Sequence, residues 1–263
     1  RSYQPVLTES PTSHLKAIVK NFASKALRRK PSEQEIDNWV ALAIPSLNTN
    51  RNFIDCVRIP LRSILVSPEL IFQTGEPGPL SDAAFATRLS YFLWRSQPDD
   101  ELQELAKEGR LHEPQTISAQ VERMLDDPKH QRFVNEFLDQ WLNLDQIDAT
   151  TPDSYLYPEY DDVLRRAMLA ETQHFFGHLI DEDLPAENLI DSEFTFLNRK
   201  LAEHYGIAGV KGEAMRRVVL DPESIRGGIL AHASIAKVTA NGTVTTPVKR
   251  GNFVLTNLLG LPP

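Results

Sequence analysis

Three ionisable side chains at helical spacing, Glu171, His174 and His178 in Glu171-Thr-Gln-His174-Phe-Phe-Gly-His178, form the sharpest chemical constellation in this chain. At about 100° per residue they fall within about 60° of a helix circumference, an arc they share with Leu164 and Phe175 of the apolar stripe. Imidazoles at i and i+4 can ligate one metal ion, and Glu-x-x-His is also half of the motif used by di-iron bundles. A second such half with further carboxylates is not found, so a zinc-type site would draw its third ligand from elsewhere. His204 is the nearest candidate in sequence. The same spacing also fits boundary histidines, with Glu171 hydrogen-bonded or ion-paired to a neighbouring helix.

Other reactive residue types carry less. His204 sits at the predicted end of a short helix, where a partly charged imidazole is favoured whether or not it ligates anything. His232 falls in a helix predicted over residues 226–240. Ser234-Ile-Ala-Lys237 and Ser13-His-Leu-Lys16 both satisfy Ser-x-x-Lys, in which the lysine could deprotonate the serine, but neither has the accompanying Lys-Thr-Gly element. The pairs Asp99-Asp100, Asp126-Asp127 and Asp161-Asp162 read as turn or first-turn acids. Tyr155, Tyr157 and Tyr160, in the loop before the longest predicted helix, offer rings that could face a glycan or protein partner, or pack over the core.

Composition bounds the classes open to the chain. Its 263 residues carry 28 Lys and Arg against 36 Asp and Glu, a net charge of −8. A nucleic-acid binder is thereby disfavoured, since phosphate contacts need clustered cations on one face. The basic runs Arg28-Arg29-Lys30, Arg216-Arg217 and Lys249-Arg250 suit solvated helix ends or turns. No apolar run reaches membrane-spanning length. The single cysteine, Cys56, lies in an apolar run and reads as a buried, inert thiol. The chain opens on Arg1 without a signal peptide, as an internal fragment would.

The elements that must position these residues are predicted to be helices. Leu15, Ile18, Val19, Phe22 and Ala26 share one face of a helix starting near Thr12-Ser13. Ser32-Glu-Gln-Glu35 is a capping box, followed by a stripe through Ile36, Trp39, Val40 and Ala43 that Pro45 stops. Phe53, Val57, Leu61, Ile64 and Leu65 mark a third helix, interrupted or kinked at Pro60. Gly75-Glu-Pro-Gly-Pro79 is the best internal boundary. Helices resume at Ser81, at Leu102 (closed by Gly109), around Val121 and around Phe137, and a long one is predicted over 159–180. Phe194 to Gly206 reads as a short helix closed by glycine, and Arg216-Arg-Val-Val-Leu220 as the only β-flavoured run. Pro247 opens a last helix that Gly260 closes, leading toward a segment beyond Pro263. The expected fold is all-α, an irregular bundle of about ten helices with at most one short β hairpin.

Several blocks together carry a resemblance: Ala86-Thr-Arg-Leu-Ser-Tyr-Phe-Leu-Trp-Arg-Ser-Gln-Pro-Asp-Asp-Glu-Leu102, Phe194-Thr-Phe-Leu-Asn198, Leu201-Ala-Glu-His-Tyr-Gly206, Arg226-Gly-Gly-Ile-Leu230, Thr246-Pro-Val-Lys-Arg-Gly251 and Leu258-Leu-Gly-Leu-Pro-Pro263. They resemble planctomycete-type extracytoplasmic domains of unknown function that occur beside c-type cytochrome domains. The resemblance implies a leading helical module over 1–75, a central domain over 80–208, and the start of a cytochrome-linked module over 209–263. It implies a periplasmic or cell-surface location and a c-type haem in a downstream segment. Within this chain Cys56 has no partner cysteine, so two thioether bonds to haem cannot form and no cofactor is expected.

Three functional classes follow. One is a helical scaffold for a neighbouring c-type cytochrome domain or a redox partner. Another is a metal-dependent or redox enzyme, with polysaccharide as a candidate substrate, around Glu171, His174, His178 and His204. The third is a glycan- or partner-binding module using Tyr155, Tyr157 and Tyr160.

Overall fold

The computed structural model describes residues 10–27, 29–49, 52–72 and 78–263. Arg28 and the Gly75–Pro77 part of the expected boundary lie outside the described residues. Two compact units divide the chain, residues 1–121 and 122–263. Among the described residues there are thirteen α-helices, ten of them seven residues or longer, and a single two-stranded antiparallel pairing, so the mostly-α expectation holds.

The first unit begins with α1 (Pro11–Ala26), α2 (Glu33–Ala41), α3 (Ile44–Asn48), α4 (Phe53–Leu65) and α5 (Pro68–Ile71). Helix α1 starts earlier than expected, because Ser10 accepts the Ser13 N–H and Pro11 occupies the first turn. The Ser32 box forms as read: its hydroxyl accepts from the Glu35 N–H, and the Glu35 carboxylate accepts from the Ser32 N–H. Helix α2 ends at Ala41, and Pro45 opens α3 rather than stopping α2. Pro60 lies buried inside α4, which continues past it, so of the kink or interruption expected there the interruption does not occur. Leu15, Val19, Ile36, Cys56 and Ile64 are fully buried together, which places Cys56 where the sequence put it. The unit continues with α6 (Asp82–Trp94), capped by Ser81, and α7 (Asp100–Lys107), capped by Asp99 and followed by Gly109 at φ +70°. The unit boundary falls within α8 (Pro114–Asp126).

In the second unit α9 (Gln131–Leu142) and α10 (Asp162–Asp181) are followed by strand β1 (Phe194–Leu197), α11 (Arg199–Tyr205), strand β2 (Arg216–Val219), α12 (Ala233–Val238) and α13 (Pro247–Phe253). Asp161 starts α10 by accepting the Leu164 N–H at 2.7 Å, which sets the helix slightly later than the sequence suggested. Two expectations are corrected here. Phe194–Leu197 is a strand, not helix: it pairs antiparallel with β2, Phe194 opposite Val219 and Leu197 opposite Arg216, and the helix begins only after the Asn198 cap. An apolar run of four cannot declare its period alone, and here a partner strand decided it. Nor is 226–240 one helix. Gly228 adopts φ +66°, a short 3₁₀ turn covers Ile229–Ala231, and His232 is extended before α12 begins. A side chain on Gly228 would collide with the Ile190 carbonyl, so this bend requires glycine.

Helix α10 is the axis of the unit, packing against α9, β1, α11 and α12. Phe175, Leu138, Leu142, Leu144 and Ile229 bury completely along one side, and Leu164, Leu197 and Leu201 along another.

Candidate functional site

The unusual feature of this core is a hydrogen-bonded polar chain at the middle of α10. Glu171, 1% exposed, accepts the Thr195 hydroxyl on Oε1 at 2.7 Å and the Tyr205 hydroxyl on Oε2. The Tyr205 oxygen in turn accepts the Ala233 N–H at 2.7 Å. One carboxyl group thereby joins α10 to β1 and α11, and through Tyr205 to the first residue of α12. Burial dominates its ionisation: the Glu171 carboxyl is pushed up to about 7, with the Tyr205 and Thr195 hydroxyls opposing the shift. Burial and the facing carboxylate push the Tyr205 phenol upward as well.

A second polar group lies alongside. The Thr172 hydroxyl is 3.0 Å from His232 Nδ1 and 2.7 Å from the Ser234 hydroxyl. His232 meets the Phe175 ring edge-on at 5.0 Å, and burial depresses its imidazole to about 3, so it is neutral.

The sequence-selected residues are distributed unevenly around this centre. Glu171 turns its carboxyl to Thr195 and Tyr205. His174 stacks on Phe196 at 5.9 Å between ring centroids, and His178 stands edge-on to Phe194 and Phe196, both at 5.4 Å. Both imidazoles therefore gather over the aromatic side chains of β1, and burial lowers the basicity of His174. His204 lies 3.5 Å from Glu159, and burial lowers its basicity as well. Among the described residues no three His, Cys, Asp or Glu side chains are grouped so as to hold a metal ion.

The Ser-x-x-Lys pairs do not form a nucleophile and its base. Lys237 gives its ammonium protons to Ile147 O, Thr150 O and Thr150 Oγ1, while Ser234 bonds Thr172; Ser13 bonds Ser10, and Lys16 bonds Asp37. Of the three tyrosines, Tyr155 is 91% exposed, Tyr157 donates to the Thr243 carbonyl at 2.7 Å, and Tyr160 lies near the Lys237 ammonium.

Sequence reasoning missed Thr195, Tyr205 and Arg226. The Arg226 guanidinium lies 3.6 Å from the Tyr205 ring centroid and donates to the Ala231 carbonyl at 3.0 Å. Tyr205 closes α11 just before Gly206, so its place on a helix was legible, but its partner across the fold was not. Tyr205 and Arg226 also line a cleft of about 610 Å³ in the second unit, together with Tyr157, Tyr160, His204 and Lys237. Chemically, the arrangement holds a protonatable carboxyl near neutrality behind a phenol whose ring forms part of the cleft wall.

No helix among the described residues is long and apolar enough to cross a membrane. No curated protein and no solved structure matches the chain. Two family models do: residues 14–74 match PSD5, a protein of unknown function (DUF1595), and residues 80–207 match PSD4, a protein of unknown function (DUF1592). These two stretches of the chain are therefore similar to domains of unknown function.

Proposed function

We propose that this chain is a helical scaffold and interaction module of a larger exported protein, in which modules over 1–75, 80–208 and 209–263 support an adjacent c-type cytochrome domain. The observation that carries the reading is the use made of Glu171: both carboxyl oxygens are engaged in tying α10 to β1 and α11, and Tyr205 extends the tie to α12. A polar group held this way specifies one packing of its neighbours. Exposed Val248, Leu259 and Leu261, on and after α13, supply apolar surface for a neighbouring domain.

The test has two parts. The reading frame beyond Pro263 is expected to encode a Cys-x-x-Cys-His haem-attachment site, and the purified chain to bind that haem domain saturably in a calorimetric titration. A frame without the pentapeptide, or a haem domain that does not bind, overturns the proposal.

A second reading, a metal-dependent or redox enzyme with polysaccharide as a candidate substrate, draws support from the carboxyl of Glu171 poised near neutrality behind a cleft. Under it, Glu171, His174, His178 and His204 would carry the site. Metal analysis separates the two: a stoichiometric ion lost in a His174→Ala, His178→Ala variant favours the enzyme, and metal-free protein of unchanged stability favours the scaffold.

A further inference from the structure

The cleft of the second unit carries a charge balance opposite to that of the chain. Among its lining residues Arg226, Lys237 and Arg250 are cationic, while Glu159 is the one carboxylate and already faces His204 at 3.5 Å. In a chain of net charge −8, such a concave positive spot focuses the local field on an anion.

The three cations are held differently. Lys237 has all three protons committed to Ile147 and Thr150 oxygens, so it contributes charge without a free donor. Arg226 is oriented by its donation to Ala231 O and its stacking on Tyr205, and a guanidinium has five donors in a planar fork. Arg250 is exposed on α13 where it lines the cleft.

The remaining wall is apolar and aromatic. Leu164, Met168, Leu230 and Ala236 supply aliphatic surface, and Tyr157 and Tyr160 supply rings. A volume of about 610 Å³ is in the range that encloses a molecule of two or three rings. One rim is fixed closely: Gly242, at φ +95°, approaches the Thr151 carbonyl so nearly that an added Cβ would lie 2.5 Å from its oxygen. We infer that the cleft binds an amphipathic organic anion, a carboxylate or sulfonate-like group on an apolar or ring-shaped body, with the head group on Arg226 and Arg250 and the body against Met168 and the tyrosines.

The test is a fluorescence titration of the whole chain with anilinonaphthalene sulfonate, alongside its uncharged relative phenylnaphthylamine. The expected result is one saturable site for the sulfonate that Arg226→Gln and Arg250→Gln each weaken by about tenfold, the loss of one charge-assisted contact, with the uncharged probe changed less than about twofold. Arg250 is exposed, so its variant keeps the test decisive should Arg226→Gln disturb the Tyr205 stack. Competition identifies the body of the ligand: displacement by decanoate indicates an aliphatic chain, and displacement by digalacturonate a sugar ring. Absence of a saturable site, equal losses for both probes, indifference to both substitutions, or displacement by neither competitor would overturn the inference.

Discussion

The helices α1 to α5 and the body built on α10 solve the same packing problem with opposite materials. Around Leu15, Val19, Ile36 and Ile64 the described buried residues are all apolar, and charges of that region stay outside, as Lys16 with Asp37, Lys20 with Glu33, and Arg29 with Glu35 and Glu69. Around α10, Glu171, Thr172, Thr195, His232, Ser234 and Lys237 are buried among the hydrophobic side chains. A core of the first kind is non-directional and forgiving of exchange at constant volume. One of the second kind fixes its neighbours through bonds with direction, and leaves desolvated groups stranded when a partner is lost. Among the described residues, buried carboxyl, imidazole and ammonium groups therefore lie in the second unit, while α1 to α5 contribute apolar burial.

The sharpest way to break this contrast is Tyr205→Phe. It removes one oxygen and leaves both Glu171 Oε2 and the Ala233 N–H without that partner, so a loss of about 2–6 kcal/mol is expected in chemical denaturation, for two buried groups at about 1–3 kcal/mol each. A loss below about 1 kcal/mol would mean that the polar chain is ornamental. Next in size is the pH response of Glu171. Its carboxyl is raised from 4.5 to about 7, so the unfolded chain releases its proton first, and stability contributed by this group falls as pH rises from 4.5 through 7. Between those limits its own contribution falls by about 3 kcal/mol, so the stability difference between the native chain and Glu171→Gln, read by hydrogen exchange of the α10 amides, is expected to change by that amount across the range.

Smaller effects are expected in the apolar bundle. Ser32→Ala, which removes one half of the capping box of α2, is expected to cost about 1 kcal/mol, measured by exchange of the α2 amides. Smallest of all is Glu33→Gln: the Lys16 and Lys20 pairs it breaks are solvated, so no resolvable change in the unfolding midpoint is expected, and none that depends on salt. A large, salt-sensitive loss there would show that the outer ion pairs matter as much as the buried ones.

What the sequence disclosed follows the range of the forces involved. Local signals were legible: the Ser32 box, the resumption of helix at Ser81, the Asp99 and Asp161 pairs at helix starts, most of the apolar stripe of α1, and the burial of Cys56, whereas Leu65 of the stripe expected for α4 is exposed. Helical arithmetic also placed Glu171 beside the buried stripe. The rest of the polar chain was not legible, because Thr195 sits on a strand created by pairing with residues 216–219, and Ala233, which donates to Tyr205, follows a bend that Gly228 allows. The Gly227-Gly228 pair was a readable interruption of the helix expected over 226–240, and giving it more weight would have released His232 from that helix. The cleft was illegible for the same reason: Tyr157, Tyr160, Tyr205, Arg226 and Arg250 are scattered over about a third of the chain.

Burying an acid and a base in one interior has a further outcome for the working range of this unit. Between pH 3 and 6.5 His232 favours the native state increasingly as the solution becomes less acidic, because the unfolded imidazole takes up a proton that the folded one refuses. Glu171 pulls the other way from 4.5 to 7. Across the overlap, from 4.5 to 6.5, the two slopes offset each other. Together these two groups act as counterweights, giving a broad plateau of tolerance to mild acid that neither would provide alone.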